Sequence, residues 1–228
     1  MNDLDFIFIW HHSDAMITID KNKFSNLEQR ERARLINSLS GVKSANLIGT
    51  QSTAGIANLS IISSIFHLGA SPALFGFIIR PDSVPRDTLD NLRAHPFLTV
   101  NQVNEKIVES AHQTSARYNP EESEFEKCEL TKEYLNNHQA PFVKESHIKF
   151  AGKLIREIPI EENGTTLLIC EVICIHLIEE CLGEDFFIDI TKANSIGISG
   201  LDSYLNLKSL GRLSYAKPEK VLRWITRF

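Results

Sequence analysis

Long apolar runs are missing from this chain of 228 residues. None approaches the ~18 consecutive apolar residues of a membrane-spanning helix. The amino-terminal stretch also lacks the basic start, apolar centre and small-residue cleavage site of a secretory signal. Cysteine is scarce, at four: Cys128, Cys170, Cys174 and Cys181. No two of them form a Cys-x-x-Cys pair and no histidine stands at a familiar zinc spacing from them, so neither a disulfide framework nor a metal centre is expected. They read as small buried hydrophobes in a reducing compartment. Cys170 and Cys174, four apart in a strand-like run, are expected on one face. Excess charge is lacking too. Lys and Arg number 24 against 29 Asp and Glu, a net charge of −5, which favours solubility and argues against non-specific nucleic-acid binding. A cytoplasmic protein with no membrane or nucleic-acid partner is the expectation.

Familiar catalytic signatures are absent as well. There is no Walker-type phosphate loop, no Gly-x-Gly-x-x-Gly fingerprint and no Gly-x-Ser-x-Gly elbow. Histidines are scattered; the adjacent pair His11-His12 before Asp14 would point to opposite faces of a strand.

What is present is mainly β texture with helical excursions, at a length that suits one all-β barrel domain. The whole chain, 1–228, reads as one domain, with an N-terminal arm and helix over 1–40, a barrel over 41–190 and a C-terminal extension over 191–228. The arm opens on an apolar run, Phe6 to Trp10. Ser25 and Glu28 are spaced as a capping box for a short amphipathic helix that Gly41 stops. Strands follow at 45–50, 74–79 and 97–103, with a helix from Pro85 to His95 between the last two. Asn119-Pro120-Glu121-Glu122 reads as the start of a helical insertion over about 116–140. Strands return at 146–160 and 165–179, joined by Asn163-Gly164, a hairpin signal because both residues tolerate positive φ. The second of these is apolar on both faces, so its outer face needs a cover, from a helix or another subunit. Beyond 188 the chain reads as looped, with a cationic end.

Two segments carry polar groups where packing alone would not place them. Asn58-Leu59-Ser60-Ile61-Ile62-Ser63-Ser64 sets small polar residues in an apolar strand, and buried hydroxyls and amides need partners. Backbone groups could satisfy them, and so could a ligand rich in donors and acceptors. Arg80-Pro81-Asp82-Ser83-Val84-Pro85-Arg86-Asp87-Thr88 is a turn into a helix. Its guanidiniums, hydroxyls and free amides can converge on one phosphate, although Thr88 could simply cap the helix.

The ordered series Leu47-Ile48-Gly49-Thr50, Asn58-Leu59-Ser60, Ser63-Ser64, Pro72, Arg80-Pro81, Thr88 and Asn91 resembles the flavin reductase-like family. The likeness continues through 111–116, Glu124-Phe125 and Gly200-Leu201-Asp202-Ser203-Tyr204, covering about residues 35 to 218. The resemblance implies an FMN-binding split β-barrel of Greek-key-like order that holds its flavin at a homodimer interface. It implies cofactor contacts from Thr50, Asn58, Leu59, Ser60, Ser63 and Ser64 along the flavin. Ser83, Arg86 and Thr88 would bind its phosphate, with Arg80 close by, and Asn91 would be a further cofactor contact. His112, Gln113 and Ser115 would face the substrate, and Leu201, Asp202, Ser203 and Tyr204 would approach from the partner subunit. The implied activity is hydride transfer from NADH or NADPH to flavin, with onward electron transfer to a small-molecule acceptor. The alternative is a non-catalytic FMN-binding sensor, electron carrier or interaction module of the same fold.

Overall fold

The computed structural model describes residues 16–81 and 86–227. The apolar run 6–10, the 11–14 histidine cluster and Ser83 lie outside the described residues. Two short helices come first, Lys21–Ser25 (α1) and Gln29–Ser38 (α2). Asp20 caps α1, its Oδ1 accepting the Lys23 amide at 2.8 Å. Because α1 takes up Ser25, the reciprocal capping pair falls on Glu28 and Glu31 rather than on Ser25 and Glu28.

Seven antiparallel strands form the main sheet: Asn46–Gln51 (β2), Ala57–Ile62 (β3), Phe66–Ala70 (β4), Ala73–Ile79 (β5), Phe97–Gln102 (β6), Ile148–Ile160 (β9) and Thr165–Leu177 (β10). Their spatial order is β3-β2-β6-β9-β10-β5-β4, so the two strands adjacent in sequence, β3 and β4, stand at opposite ends of the sheet. From Ile62 to Phe66 the chain takes four steps, a reach of at most ~14 Å. Six strand spacings laid flat would need about 29 Å. The sheet must therefore curl until its ends meet. Ser64 makes the closing contact: its hydroxyl accepts the Ile78 N–H at 3.0 Å and donates to the Ile78 carbonyl at 3.2 Å.

Apolar residues fill the barrel this creates. Ile48, Phe77, Leu98, Val100 and Leu168 are buried inside it, joined by Leu89 and Leu92 of the helix Asp87–Ala94 (α3). A second core lies behind β2 and β3. There Leu47, Leu59 and Val103 pack against Ala111 of Val108–Gln113 (α4), Phe125 of Glu124–Lys127 (α5) and Ile198 of Ile196–Ser199 (β11). Leu47 and Ile48 thus serve different cores, which is why this strand lacks a polar face.

Three expectations change. The insertion over 116–140 is mostly irregular: α5 is its one helix among the described residues, and Glu129, Asn136 and Asn137 adopt positive φ. The Asn119–Glu122 pattern closes a turn, with the Glu122 carboxylate accepting both the amide and the side-chain N–H of Asn119 at 3.2 and 3.1 Å. In β10, Cys170 and Cys174 lie on opposite faces. Val172 pairs with Gly152 but Cys174 pairs with Ala151, so an extra residue at 173 shifts the alternation by one. Beyond 188 the chain is not simply looped. Lys43–Ser44 (β1), β11 and Ser203–Asn206 (β12) make a small sheet, and Gly211–Leu213 pairs with Trp224–Arg227.

Gly49 marks the tightest approach in the barrel wall. A Cβ there would meet the Pro141 carbonyl oxygen and the Thr99 hydroxyl, and that hydroxyl already donates to the same carbonyl at 2.6 Å. Gly49→Ala is expected to destabilise the fold by about 1–3 kcal/mol, read as a lower urea midpoint at unchanged slope.

Candidate functional site

A cleft of about 970 Å³ runs along the outer edge of β3. Asn58, Ser60, Ile62, Ser63 and Ser64 form its barrel side, with Ile78, Ile79 and Arg80 from the end of β5. Arg86, Asp87 and Thr88 close one end at the start of α3. His112, Thr114, Ser115 and Arg117 come from α4 and the segment after it, and Leu201 and Asp202 from the β11–β12 turn.

The polar residues in this wall are held by one another. The Asn58 side-chain amide donates to Thr50 Oγ1 and to Thr88 Oγ1, both at 3.1 Å. Asn91 also donates to Thr50 Oγ1 at 3.1 Å, and Thr88 Oγ1 donates to Ser60 Oγ at 3.3 Å. Thr50 and Asn91 are buried behind the wall and line none of it. Thr50 holds Asn58 directly, and Asn91 holds Thr50. Thr88 is the second residue of α3, not its cap. The carbonyl of Arg86 accepts the amides of Leu89 and Asp90, leaving those of Asp87 and Thr88 as the donors that open the helix. The Arg86 guanidinium is steered by Pro81, whose carbonyl accepts from Nε and Nη2 at 3.2 and 3.1 Å.

β3 is an edge strand, and its outward amides are taken by side chains. Leu59 N–H donates to Glu124 Oε2 at 2.9 Å and Ile61 N–H to Thr114 Oγ1 at 3.0 Å. Leu59 itself is fully buried in the outer core, so its side chain stays out of the cleft and its N–H is committed to Glu124. Burial pushes the Glu124 carboxyl above its ordinary range, against the opposing pull of the Leu59 N–H, and the nearby Asp87 adds to the push. Asp87 is pushed up in turn, first by burial and then by Asp90.

Of the residues singled out in the sequence, Asn58, Ser60, Ser63, Ser64, Arg80, Arg86, Thr88, His112, Ser115, Leu201 and Asp202 share this cleft. Leu201 and Asp202 do so within their own protomer. Gln113 stands outside the lining, donating to the Tyr118 hydroxyl at 3.0 Å. Ser203 is exposed on β12, and Tyr204 meets His112 of the same chain. Glu124 and Thr114 lie in runs that carry the family likeness, but neither they nor Arg117 are among the expected contacts.

This barrel recurs in known proteins. The model of the flavin reductase like domain matches residues 41–190, and the chain belongs to that family. A protein from Shewanella frigidimarina NCIMB 400, assigned as a flavin reductase with a split barrel domain, is 48% identical; the match covers 88% of this chain and 100% of that one, with a TM-score of 0.85. Component B of nitrilotriacetate monooxygenase from Bacillus cereus shares the fold at 24% identity and a TM-score of 0.77, with 88% and 100% covered. An uncharacterized protein of Aquifex aeolicus is 28% identical over 160 residues, 69% of this chain and 81% of that protein. The chain is thus a split-barrel protein of a flavin-related oxidoreductase family.

Glu124 gives the site a pH signature. A carboxyl held above its ordinary value favours the protonated native state. Its contribution to stability is complete below 4.5 and is lost as pH rises through the raised value. Glu124→Gln removes that loss while keeping an acceptor for Leu59. The melting temperature of the variant, relative to wild type, should therefore climb from pH 4.5 upward, as thermal melts across a pH series would show. A constant difference at every pH would contradict the assignment.

Proposed function

We propose that the protein is a cytoplasmic FMN-binding reductase that takes hydride from NADH or NADPH and works as a homodimer. The observation that carries this reading is the division of the cleft into an anion-suited end and a long polar edge. At one end Arg80, Arg86 and the first amides of α3 gather positive charge and N–H donors, the arrangement that suits a single phosphate. Along the edge, Asn58, Ser60, Ser63 and Ser64 offer amide and hydroxyl groups suited to a ribityl chain and a ring rich in acceptors. The volume, about 970 Å³, stands at the top of the ~300–1,000 Å³ range of cofactor pockets. That leaves room for a second ligand against His112 and Ser115. Among the described residues no group of histidines, cysteines and carboxylates is placed to hold a metal, and no helix is long and apolar enough to cross a membrane.

Bound flavin would supply the redox chemistry, accepting a hydride and releasing electrons to a second substrate. The protein's own work is placement. Asn58, fixed by Thr50 and Thr88, presents a wall that does not reorganise when a ligand enters. Arg86, steered by Pro81, anchors the charged end. Glu124 and Thr114 keep the β3 edge straight by occupying its amides. The α4 segment and the 201–202 turn flank the cleft and limit the approach of water.

Apolar surface supports the dimer. Ile155, Ile173 and Ile175 on the two longest strands are 50%, 50% and 53% exposed, an arrangement that a second copy would cover. Light scattering should report twice the chain mass, and Ile173→Glu should shift it toward the monomer. A wild-type monomer that binds flavin tightly would overturn this part of the reading.

The flavin assignment is tested at Arg86. A guanidinium bonded to phosphate contributes ~1.5–3 kcal/mol, so Arg86→Ala should weaken FMN by roughly 10- to 150-fold. Riboflavin, which lacks the phosphate, should bind wild type and variant alike. If both flavins weaken equally, or neither does, Arg86 is not a phosphate ligand.

A further inference from the structure

The chain's two halves meet beside the cleft. His112 Nδ1 and the Tyr204 hydroxyl lie 2.8 Å apart. Their rings cross edge to face with centroids 5.6 Å apart. The two residues are 92 positions apart, His112 on α4 and Tyr204 on β12. Tyr204 is anchored, being packed against the outer core. His112 is exposed and lines the cleft. An exposed imidazole at the cleft thus meets a phenol packed on the core.

We propose that Tyr204 is a positioning residue that commits His112 Nδ1 and leaves Nε2–H as a neutral hydrogen-bond donor toward the cleft. The ligand group suited to that donor is an uncharged acceptor oxygen, such as the carboxamide carbonyl of a reduced nicotinamide. This rests on the reductase reading given above and names the residues that would seat its electron donor.

The chemistry of the pair gives the direction. A phenol is a better donor than acceptor, and Tyr204 stays protonated because burial, and then Asp202, hold its hydroxyl above the ordinary range. Its O–H donates to Nδ1, so the ring proton of neutral His112 resides on Nε2. Fixing the partner nitrogen in this way sets which atom a histidine offers to a ligand. The turn between β11 and β12 also brings Leu201 and Asp202 to the cleft, so the hairpin that carries Tyr204 is itself part of the wall.

The test is a double-mutant cycle on purified protein with FMN, using NADH and NADPH in turn. Tyr204→Phe keeps the ring and removes only the hydroxyl. It should raise KM for the better donor about two- to tenfold, the effect of one hydrogen bond, and leave the FMN Kd within about twofold. His112→Ala should raise KM at least as much, and the pair combined no further, since one residue acts through the other. Nitrogen NMR of the His112 ring supplies a readout independent of turnover: a single Nε2–H tautomer in wild type, and a mixture of the two in Tyr204→Phe. Additive KM effects, or an unchanged tautomer, would overturn the proposal and leave the reductase reading intact. Failure of wild type to bind FMN would overturn the reductase reading first, and this proposal with it.

Discussion

A three-residue link, Ser63-Ser64-Ile65, joins two strands that the sheet places at its opposite ends. No flat sheet can satisfy that connection, so the barrel, its interior core and the position of the cleft follow from it. The link also places Ser63 and Ser64 in the cleft wall while Ser64 ties to the backbone of Ile78. Closure of the fold and construction of the site are therefore the same event. The polar residues that look misplaced in an apolar strand stand where the barrel's seam becomes a binding surface.

How far the sequence revealed this depended on whether the governing contacts were local. The strands around Leu47, Phe77 and Val100, and the helix after Arg86, are short-range patterns and were legible within a residue or two. The polar run 58–64 and the Arg80-to-Thr88 turn pointed to the cleft because unsatisfied polar groups are visible in sequence whatever the topology. What the sequence leaves hidden needs distant partners. Thr50 lies behind the cleft wall and holds Asn58, and Asn91 holds Thr50. Leu59 faces the outer core because α5 covers that side of β3. The 116–140 segment carries helix-start residues, but its positive-φ turns and the pair of Lys132–Glu133 with Phe142–Val143 hold it otherwise. The register shift at 173 has no local signature at all.

The two carboxyls of the cleft bear on selectivity. Asp87 stands beside the arginines at the anion-suited end and Glu124 at the β3 edge. Ordinary carboxylates so placed would offset the arginines and repel a phosphate. Burial raises both above their ordinary range, helped by the charge of Asp90 at Asp87 and by that of Asp87 at Glu124. Glu124 is in addition committed to the backbone, its carboxylate accepting the Leu59 N–H.

The side-chain capping of β3 has a consequence of another kind. An edge strand with free amides is a template on which foreign strands can grow, and proteins blunt such edges to stay in solution. Here Glu124 and Thr114 occupy the outward amides of Leu59 and Ile61, so β3 cannot recruit another β-strand in the ordinary ladder. Yet the same edge remains uncovered by backbone, which is what leaves a cleft for a small ligand to enter. Resistance to aggregation and openness to a cofactor are usually opposing demands on a sheet edge; two side chains reconcile them.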